Sequence, residues 1–318
     1  MFSLSQKANL PVFCLMGPTA SGKTALAVEM VQRFPMEIVS IDSTMIYRGM
    51  DIGSAKPDAD LLAYAPHHLI DILDPPEAYS AARCCEDVHS LCSTISARGN
   101  FPLLTGGTMM YFNALQQGLS LLPQADAAVR DAILKQAEEK GWAYMHSQLA
   151  EVDPLSAARI HPHDTQRIQR ALEVFQITQI PLSKHWDEAK TASALHYINL
   201  SVMPADRAWL HRRIAQRFKQ MLADGLIDEV HQLIQTWSLT TMHPSMRSVG
   251  YRQVWDYLHG EFDENNLLEK GIAATRQLAK RQLTWLRHWP QKIEFIAESP
   301  SILDEIVASV QQILDNIK

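Results

Sequence analysis

The sequence predicts an α/β protein, a parallel sheet covered by helices and interrupted by an inserted helical domain. Three observations predict it. The first 115 residues alternate short apolar runs with helical patterns, the signature of strands joined through helices. From about residue 119 the texture changes to long helical patterns with no convincing strand. A later apolar run, Tyr197–Met203 (YINLSVM), then returns the chain to the sheet. At 318 residues and roughly 150 residues per domain, two domains are expected. Their boundaries are read as 1–119 with 197–318 for the core, and 120–196 for the insertion.

The elements follow in order. Val12–Met16 is the first strand, and Ala25, Leu26, Val28, Met30 and Val31 continue as a helix that stops at Pro35. Strands are expected at 37–41, 69–73 and 102–105, the first and last of these running straight into polar or glycine-rich residues. Between them, 81–98 reads as a helix with Cys84, Val88, Leu91, Cys92 and Ile95 on one apolar stripe. After the returning strand, Leu210, Ile214, Phe218, Met221 and Leu222 share a helical face that ends near Gly225. A final helix from about Ser301 places Ile302, Ile306, Val310, Ile313 and Leu314 on a core stripe.

Composition excludes several classes. With 47% apolar and 20% charged residues the chain is not intrinsically disordered. Its net charge of -6 excludes a polycation that coats nucleic acid indiscriminately, so any nucleic-acid site must be a local concentration of charge. No apolar run approaches the roughly 18 residues that span a bilayer, and the opening MFSLSQKANL lacks a leader's basic start and apolar core. A cytoplasmic protein without a membrane partner is expected. Cys14, Cys84, Cys85 and Cys92 lack the paired hooks of a zinc ribbon and read as reduced thiols. Cys85, His89 and Cys92 would share a helical face, but the apolar stripe through Cys84 and Cys92 favours packing over metal.

The sharpest local signal is Gly17-Pro18-Thr19-Ala20-Ser21-Gly22-Lys23-Thr24, which matches the phosphate-loop pattern between a strand and a helix. Loop N–H groups and the positive helix end can surround a phosphate, Lys23 adds a point charge, and the Thr24 hydroxyl can ligate Mg²⁺. The fold class is therefore a P-loop NTPase-like parallel sheet core with an inserted helical domain. At the end of the second strand, Ile41-Asp42-Ser43-Thr44 puts a carboxylate on the same rim. Asp42 could be a general base, a metal ligand, or a cap for the next helix. Thr105-Gly106-Gly107-Thr108 leaves the fourth strand on that rim too, and its glycines allow close approach to the backbone.

Charge is unevenly spread. Residues 270–292 hold Lys270, Arg276, Lys280, Arg281, Arg287 and Lys292 with no acid, a local +6, and Trp285 and Trp289 are interleaved. Arg167 and Arg170 lie three apart on one helical face, and Arg212, Arg213 and Arg217 follow the returning strand. For any single arginine a solvated helix face is the ordinary role; for the acid-free run RNA contact is favoured. Arg217, on a helix behind the phosphate loop, is also placed to stabilise charge developing on a leaving phosphate.

Together these segments resemble the tRNA dimethylallyltransferase family over nearly the whole chain. The carriers are GPTASGKT at Gly17, SIDSTMIYRGMDIGSAKP at Ser40 and PHHLID at Pro66. They continue with TGGTMMY at Thr105, HPHDTQRIQRALEV at His161, RSVGYRQ at Arg247 and AKRQLTWLR at Ala279. Two departures are small: Ser54 stands where the family usually has Thr, and Arg83-Cys84-Cys85 fills a helix start unusually. The resemblance implies that the loop holds dimethylallyl diphosphate, with Thr19 to Thr24 contacting this donor. The acceptor would be N6 of the adenosine immediately 3′ of the anticodon, adenosine-37, in tRNAs reading codons that begin with U. It also implies that Asp42 accepts the proton while Lys23, Thr24-bound Mg²⁺ and Arg217 stabilise departing diphosphate.

By motif position, the implied tRNA contacts are Asp42, Ser43, Thr44 and Met45; Thr108 and Arg130; and Gln166, Arg167, Ile168, Gln169 and Arg170. To these are added Arg247, Ser248, Val249, Gly250, Tyr251 and Arg252, and then Lys280, Arg281, Gln282, Leu283, Thr284, Trp285, Leu286 and Arg287. The insertion would clasp the anticodon arm, and a monomer without an obligate protein partner is expected. The main rival is a P-loop small-molecule or nucleoside kinase, which also pairs a phosphate loop with an Asp at the second strand's end. Two further rivals are a noncatalytic RNA-binding protein and an enzyme that prenylates free adenosine nucleotides.

Overall fold

The computed structural model describes residues 10–120, 122–186 and 195–317. Most of the opening decapeptide and residues 121 and 187–194 of the expected insertion lie outside the described residues. The chain divides into two compact units, Met1–Gln116 with Ala194–Lys318, and Gln117–Ser193.

Among the described residues six strands form one parallel sheet in the first unit. They are β1 (Val12–Met16), β2 (Met36–Ile41), β3 (His67–His68), β4 (Phe101–Gly106), β5 (Tyr197–Met203) and β6 (Lys292–Ile296). Their spatial order is β3-β2-β4-β1-β5-β6. This is a P-loop NTPase-like arrangement: β1 is interior, flanked by β4 and β5, and every pair is parallel. The loops leaving β1, β2 and β4 therefore open on one rim, where ligands of such sheets bind.

Two strands differ from the sequence reading. The third is not 69–73 but His67–His68, paired with Ile38 and Val39. Leu69 and Asp71 adopt φ of 63° and 54°, which break an extended path. The turn delivers the Asp71 carboxylate to the buried Lys56 ammonium at 2.6 Å, and Leu73 returns only as an isolated bridge to Tyr47. The sixth strand, KIEFI, was not expected. It is an edge strand with Phe295 alone fully buried, so its sequence carries no clean alternation.

The helices are α1 (Lys23–Arg33), α2 (Ala59–Tyr64), α3 (Ala81–Ala97) and α4 (Met109–Gln117), followed in the insertion by α5 (Ala127–Lys140), α6 (Trp142–Val152), α7 (Pro154–Arg159) and α8 (Thr165–Thr178). The core resumes with α9 (Arg207–Ala223), α10 (Leu226–Trp237), α11 (Tyr251–Leu258), α12 (Glu264–Arg287) and α13 (Ile302–Ile317). Alternation along β1 splits the core into two layers. Phe13 and Leu15 pack with Leu26 and Met30 of α1 and with Ile306 and Val310 of α13. Val12, Cys14 and Met16 pack with Val88, Cys92 and Ile95 of α3 and Phe112 of α4. The cysteine stripe is thus core, and burial pushes the Cys84 and Cys92 thiols up to about 12, so neither is a thiolate at neutral pH.

A third cluster joins Tyr47 and Met50 to Val230 of α10, Val254 of α11 and Leu267 of α12. Helices α9 and α12 approach closely at Gly271, where an added Cβ would lie 2.0 Å from the Phe218 ring. The insertion has its own core of Ile133, Leu149, Ile168 and Leu172. Buried Asp153 ties it together, accepting from the Ser156 N–H and hydroxyl and from the Ser183 N–H.

Candidate active site

The phosphate loop bends because two residues take left-handed backbone, Ala20 at φ 63° and Gly22 at φ 93°. At Gly22 a Cβ would meet nothing within 4 Å, so the glycine is there for its φ alone. Gly22 precedes α1, whose first residues are Lys23 and Thr24, and no side chain caps that helix end, leaving its N–H groups facing the loop. Within the loop, Ser21 donates its N–H to Pro18 O at 3.3 Å, and Lys23 Nζ donates to the same oxygen at 3.3 Å.

At the end of β2, Asp42 Oδ1 accepts the N–H groups of Thr44 at 2.8 Å and Met45 at 3.3 Å. No helix begins there, so Asp42 closes a turn rather than capping one, and Oδ2 has no partner among the described residues. Gly106 lies against β2: a Cβ there would stand 2.0 Å from Ile41 O. The next turn is tied back when Thr108 Oγ1 accepts the Ser43 N–H at 3.1 Å.

These loops line one cleft. Thr19, Lys23, Thr24, Asp42, Thr44, Arg217, Val249, Gly250 and Gln282 border it, as do Ser40, His67, Thr105 and Thr275. Met45, Pro57, Ile214, Phe218, Met221 and Leu278 supply an apolar wall. Burial pushes the Lys23 ammonium down to about 8, against the attraction of Asp42, which raises it; Arg217 adds repulsion. Arg217 is likewise lowered by burial, again opposed by Asp42. Two cations and one carboxylate thus converge in a partly desolvated cleft, an arrangement suited to a multiply charged anion.

The cleft's outer loop is held from behind. Glu229 of α10 accepts the N–H groups of Asp51, Ile52 and Gly53 at 3.0, 2.7 and 3.2 Å, and the Tyr251 hydroxyl donates to Glu229 Oε1 at 2.6 Å. Sequence reading missed Glu229, which looks like any acid in a helix's first turn. Ser54, in the same loop, uses its hydroxyl to donate to Met50 O at 2.7 Å.

Several of the residues expected to meet RNA are buried. Tyr251 is fully buried, with its hydroxyl committed to Glu229, and Gly250 is buried at φ 93°. Ile168 belongs to the insertion's core. On α12, Leu283 and Leu286 are buried, and Gln282 is turned inward: Oε1 accepts the Thr19 N–H at 2.9 Å and Nε2 donates to Gly107 O at 2.9 Å. A helix exposes only part of its circumference, so a contiguous block cannot all face one ligand. Lys292 leaves the basic run as well, because its Nζ caps α12 through Leu286 O and Arg287 O. Trp289 is buried beside Phe112.

The other expected contacts are accessible. Lys280, Arg281, Thr284, Trp285 and Arg287 share the outer face of α12. Thr44 Oγ1 donates to Ser248 Oγ at 3.4 Å, Val249 lines the cleft, and Arg247 and Arg252 are exposed, Arg252 paired with Asp256. In the insertion Gln166 and Arg167 are exposed, and Gln169 donates to Arg130 O. Arg130 and Arg170 both pair with the fully buried Glu173, at 2.9 and 2.6 Å, while keeping part of each side chain accessible.

Fold and cleft together define a P-loop NTPase-like protein whose cleft brings Lys23, Arg217 and Asp42 together. The IPP transferase family model matches residues 45–289. The chain is 55% identical over 308 residues to the tRNA dimethylallyltransferase of Legionella pneumophila (strain Paris), covering 97% of this chain and 98% of that protein. It is 55% identical over 280 residues to the tRNA dimethylallyltransferase of Thiobacillus denitrificans, covering 88% and 90%. The crystal structure of the tRNA isopentenylpyrophosphate transferase of Bacillus halodurans superposes with a TM-score of 0.71 at 32% identity, covering 97% and 98%. This chain belongs to the IPP transferase family.

Proposed function

We propose that this chain is a tRNA dimethylallyltransferase. It transfers the dimethylallyl group of dimethylallyl diphosphate to N6 of adenosine-37, immediately 3′ of the anticodon, in tRNAs reading codons that begin with U. The observation that carries the reading is the cleft itself, where Lys23, Thr24, Asp42 and Arg217 stand beside an apolar wall that includes Met45, Ile214, Phe218, Met221 and Leu278. A five-carbon allylic group needs such a wall. Family membership supports the transferase and not the kinase.

In the reaction the adenine N6 attacks the allylic carbon, the carbon–oxygen bond to diphosphate breaks, and Asp42 takes the N6 proton. Two amide N–H groups on Oδ1 fix the carboxylate and leave Oδ2 for that proton. The loop N–H groups, Lys23 and Arg217 hold the departing diphosphate. The Thr24 hydroxyl, which lines the same cleft as Asp42, is a hard oxygen donor of the kind Mg²⁺ takes. Bound by Thr24 and the donor's phosphates, Mg²⁺ would neutralise charge on the leaving group.

On the RNA side, the outer face of α12 and the arginines of α8 supply phosphate contacts, and Glu173 fixes Arg130 and Arg170 for that use. The target adenine leaves its stack to reach the rim. The enzyme is expected to act as a monomer in the cytoplasm; among the described residues no helix is long and apolar enough to cross a membrane. The test is incubation with dimethylallyl diphosphate, Mg²⁺ and unmodified tRNA, followed by nucleoside mass analysis. One adenosine gains a five-carbon unit if the reading is right. Equal activity on free adenosine nucleotides, ATP consumption without prenyl transfer, or RNA binding without turnover would each replace it.

A further inference from the structure

Gln282 joins three parts of the first unit that lie far apart in sequence. Its Oε1 accepts the N–H of Thr19, in the phosphate loop, and its Nε2 donates to the carbonyl of Gly107, in the loop after β4, both at 2.9 Å. The fit at Gly107 is tight: a Cβ there would stand 2.4 Å from Nε2, so the amide occupies the space a side chain would need. One residue further, Thr108 Oγ1 accepts the Ser43 N–H at 3.1 Å, beside Asp42. The amide therefore touches the loop that holds the leaving group, and through Thr108 the turn that holds the base.

The same residue is part of a helix with two faces. Leu283, next to it, packs in one cluster with Ala20 of the phosphate loop, while Lys280 and Arg281 point outward from the preceding positions. Lys280 and Arg281 share a helix turn with Gln282, so any shift of that turn on RNA docking would carry the amide with it. The Thr19 N–H has one hydrogen to give, and its direction is set by that amide.

We infer that Gln282 is a positioning residue that couples RNA seated on the outer face of α12 to the diphosphate site. The inference rests on the reading above, that this face meets RNA and the loop holds diphosphate. RNA docking then changes the affinity of the loop for diphosphate, and by reciprocity diphosphate changes the affinity for RNA by the same factor. A merely structural glutamine would not move that factor.

The test uses the full chain, inorganic pyrophosphate with Mg²⁺, and an anticodon stem-loop RNA, with each affinity measured by calorimetry alone and in the presence of the other. In the wild type the two affinities differ by at least about fivefold from their separate values. In Gln282→Leu the factor falls to within about twofold of unity while each probe still binds alone. Gln282→Glu, which keeps an acceptor for Thr19 N–H but loses the donor to Gly107, retains part of the coupling. Should Gln282→Leu lose its cooperative melting transition, Gln282→Met decides in its place. Undiminished coupling in a folded variant overturns the inference, as does a wild type that binds both probes independently. A wild type that binds neither overturns the transferase reading along with it.

Discussion

The phosphate loop and the last two turns of α12 are both blocks of eight residues, Gly17 to Thr24 and Lys280 to Arg287, yet they work by opposite rules. In the loop, neighbouring residues face one cleft, so contiguity in sequence is contiguity in space: Thr19, Lys23 and Thr24 line the cleft, and Ala20 and Gly22 bend the chain around it. In the helix, the 3.6-residue period deals consecutive residues to different faces. Lys280, Arg281, Thr284, Trp285 and Arg287 go to solvent, while Gln282, Leu283 and Leu286 go to the interior. A sequence block identifies a site in a loop but only a helix, with two kinds of residue, in α12.

The largest effect belongs to the rim. Asp42→Asn keeps the turn's shape and removes the proton acceptor, so prenyl transfer should fall by about 10²–10⁴ while tRNA affinity, measured by filter binding, stays near the wild-type value. Transfer within tenfold of wild type would remove Asp42 from the reaction and leave it as a turn residue. Next in size is the inner face of α12. Leu286 is fully buried against the sheet layer, so Leu286→Ala should cost about 2–5 kcal/mol in denaturant unfolding. Exposed Arg287, its neighbour, changed to Ala should cost less than about 0.5 kcal/mol. Similar losses for both would erase the distinction between the faces.

The loop offers a subtler measurement through pH. Burial holds Lys23 down to about 8, against the attraction of Asp42. Below that pH the ammonium is charged and attracts the anion; as pH rises through it the charge is lost. Pyrophosphate affinity should therefore fall between about pH 7 and 9, and Lys23→Arg, whose guanidinium stays charged throughout, should remove the Lys23 part of that fall. An unchanged profile in the arginine variant would assign the titration to another group.

Legibility follows the same division. The loop, the first strand, Asp42 at the end of β2 and the arginine-bearing helix could be read because each is specified by neighbouring residues. Gln282 could not: its partner Thr19 is 263 positions away, and nothing local separates an inward glutamine from an outward one. Glu229 escaped for the same reason, since its work is to hold residues 51–53 some 176 to 178 positions distant, and so did the bond by which Tyr251 holds Glu229. The third strand was misplaced because Leu69 is buried beside a turn and Leu73 pairs only in an isolated bridge to Tyr47. The sixth hid because an edge strand with one buried residue has no pattern to read.

The smallest expected effect tests the outer face alone. Lys280→Ala with Arg281→Ala removes two exposed charges that make no ion pair among the described residues, so stability should hold. If both meet phosphates, the slope of log affinity for tRNA against log salt should flatten by about 1 for each residue, with pyrophosphate affinity in the absence of RNA unchanged. That combination separates the faces cleanly, because a long-range electrostatic influence on the loop would move pyrophosphate binding too and would shrink with added salt. A wild-type salt slope in the double variant would mean that RNA does not touch α12, and would leave Gln282 holding the loop with no load on its other side.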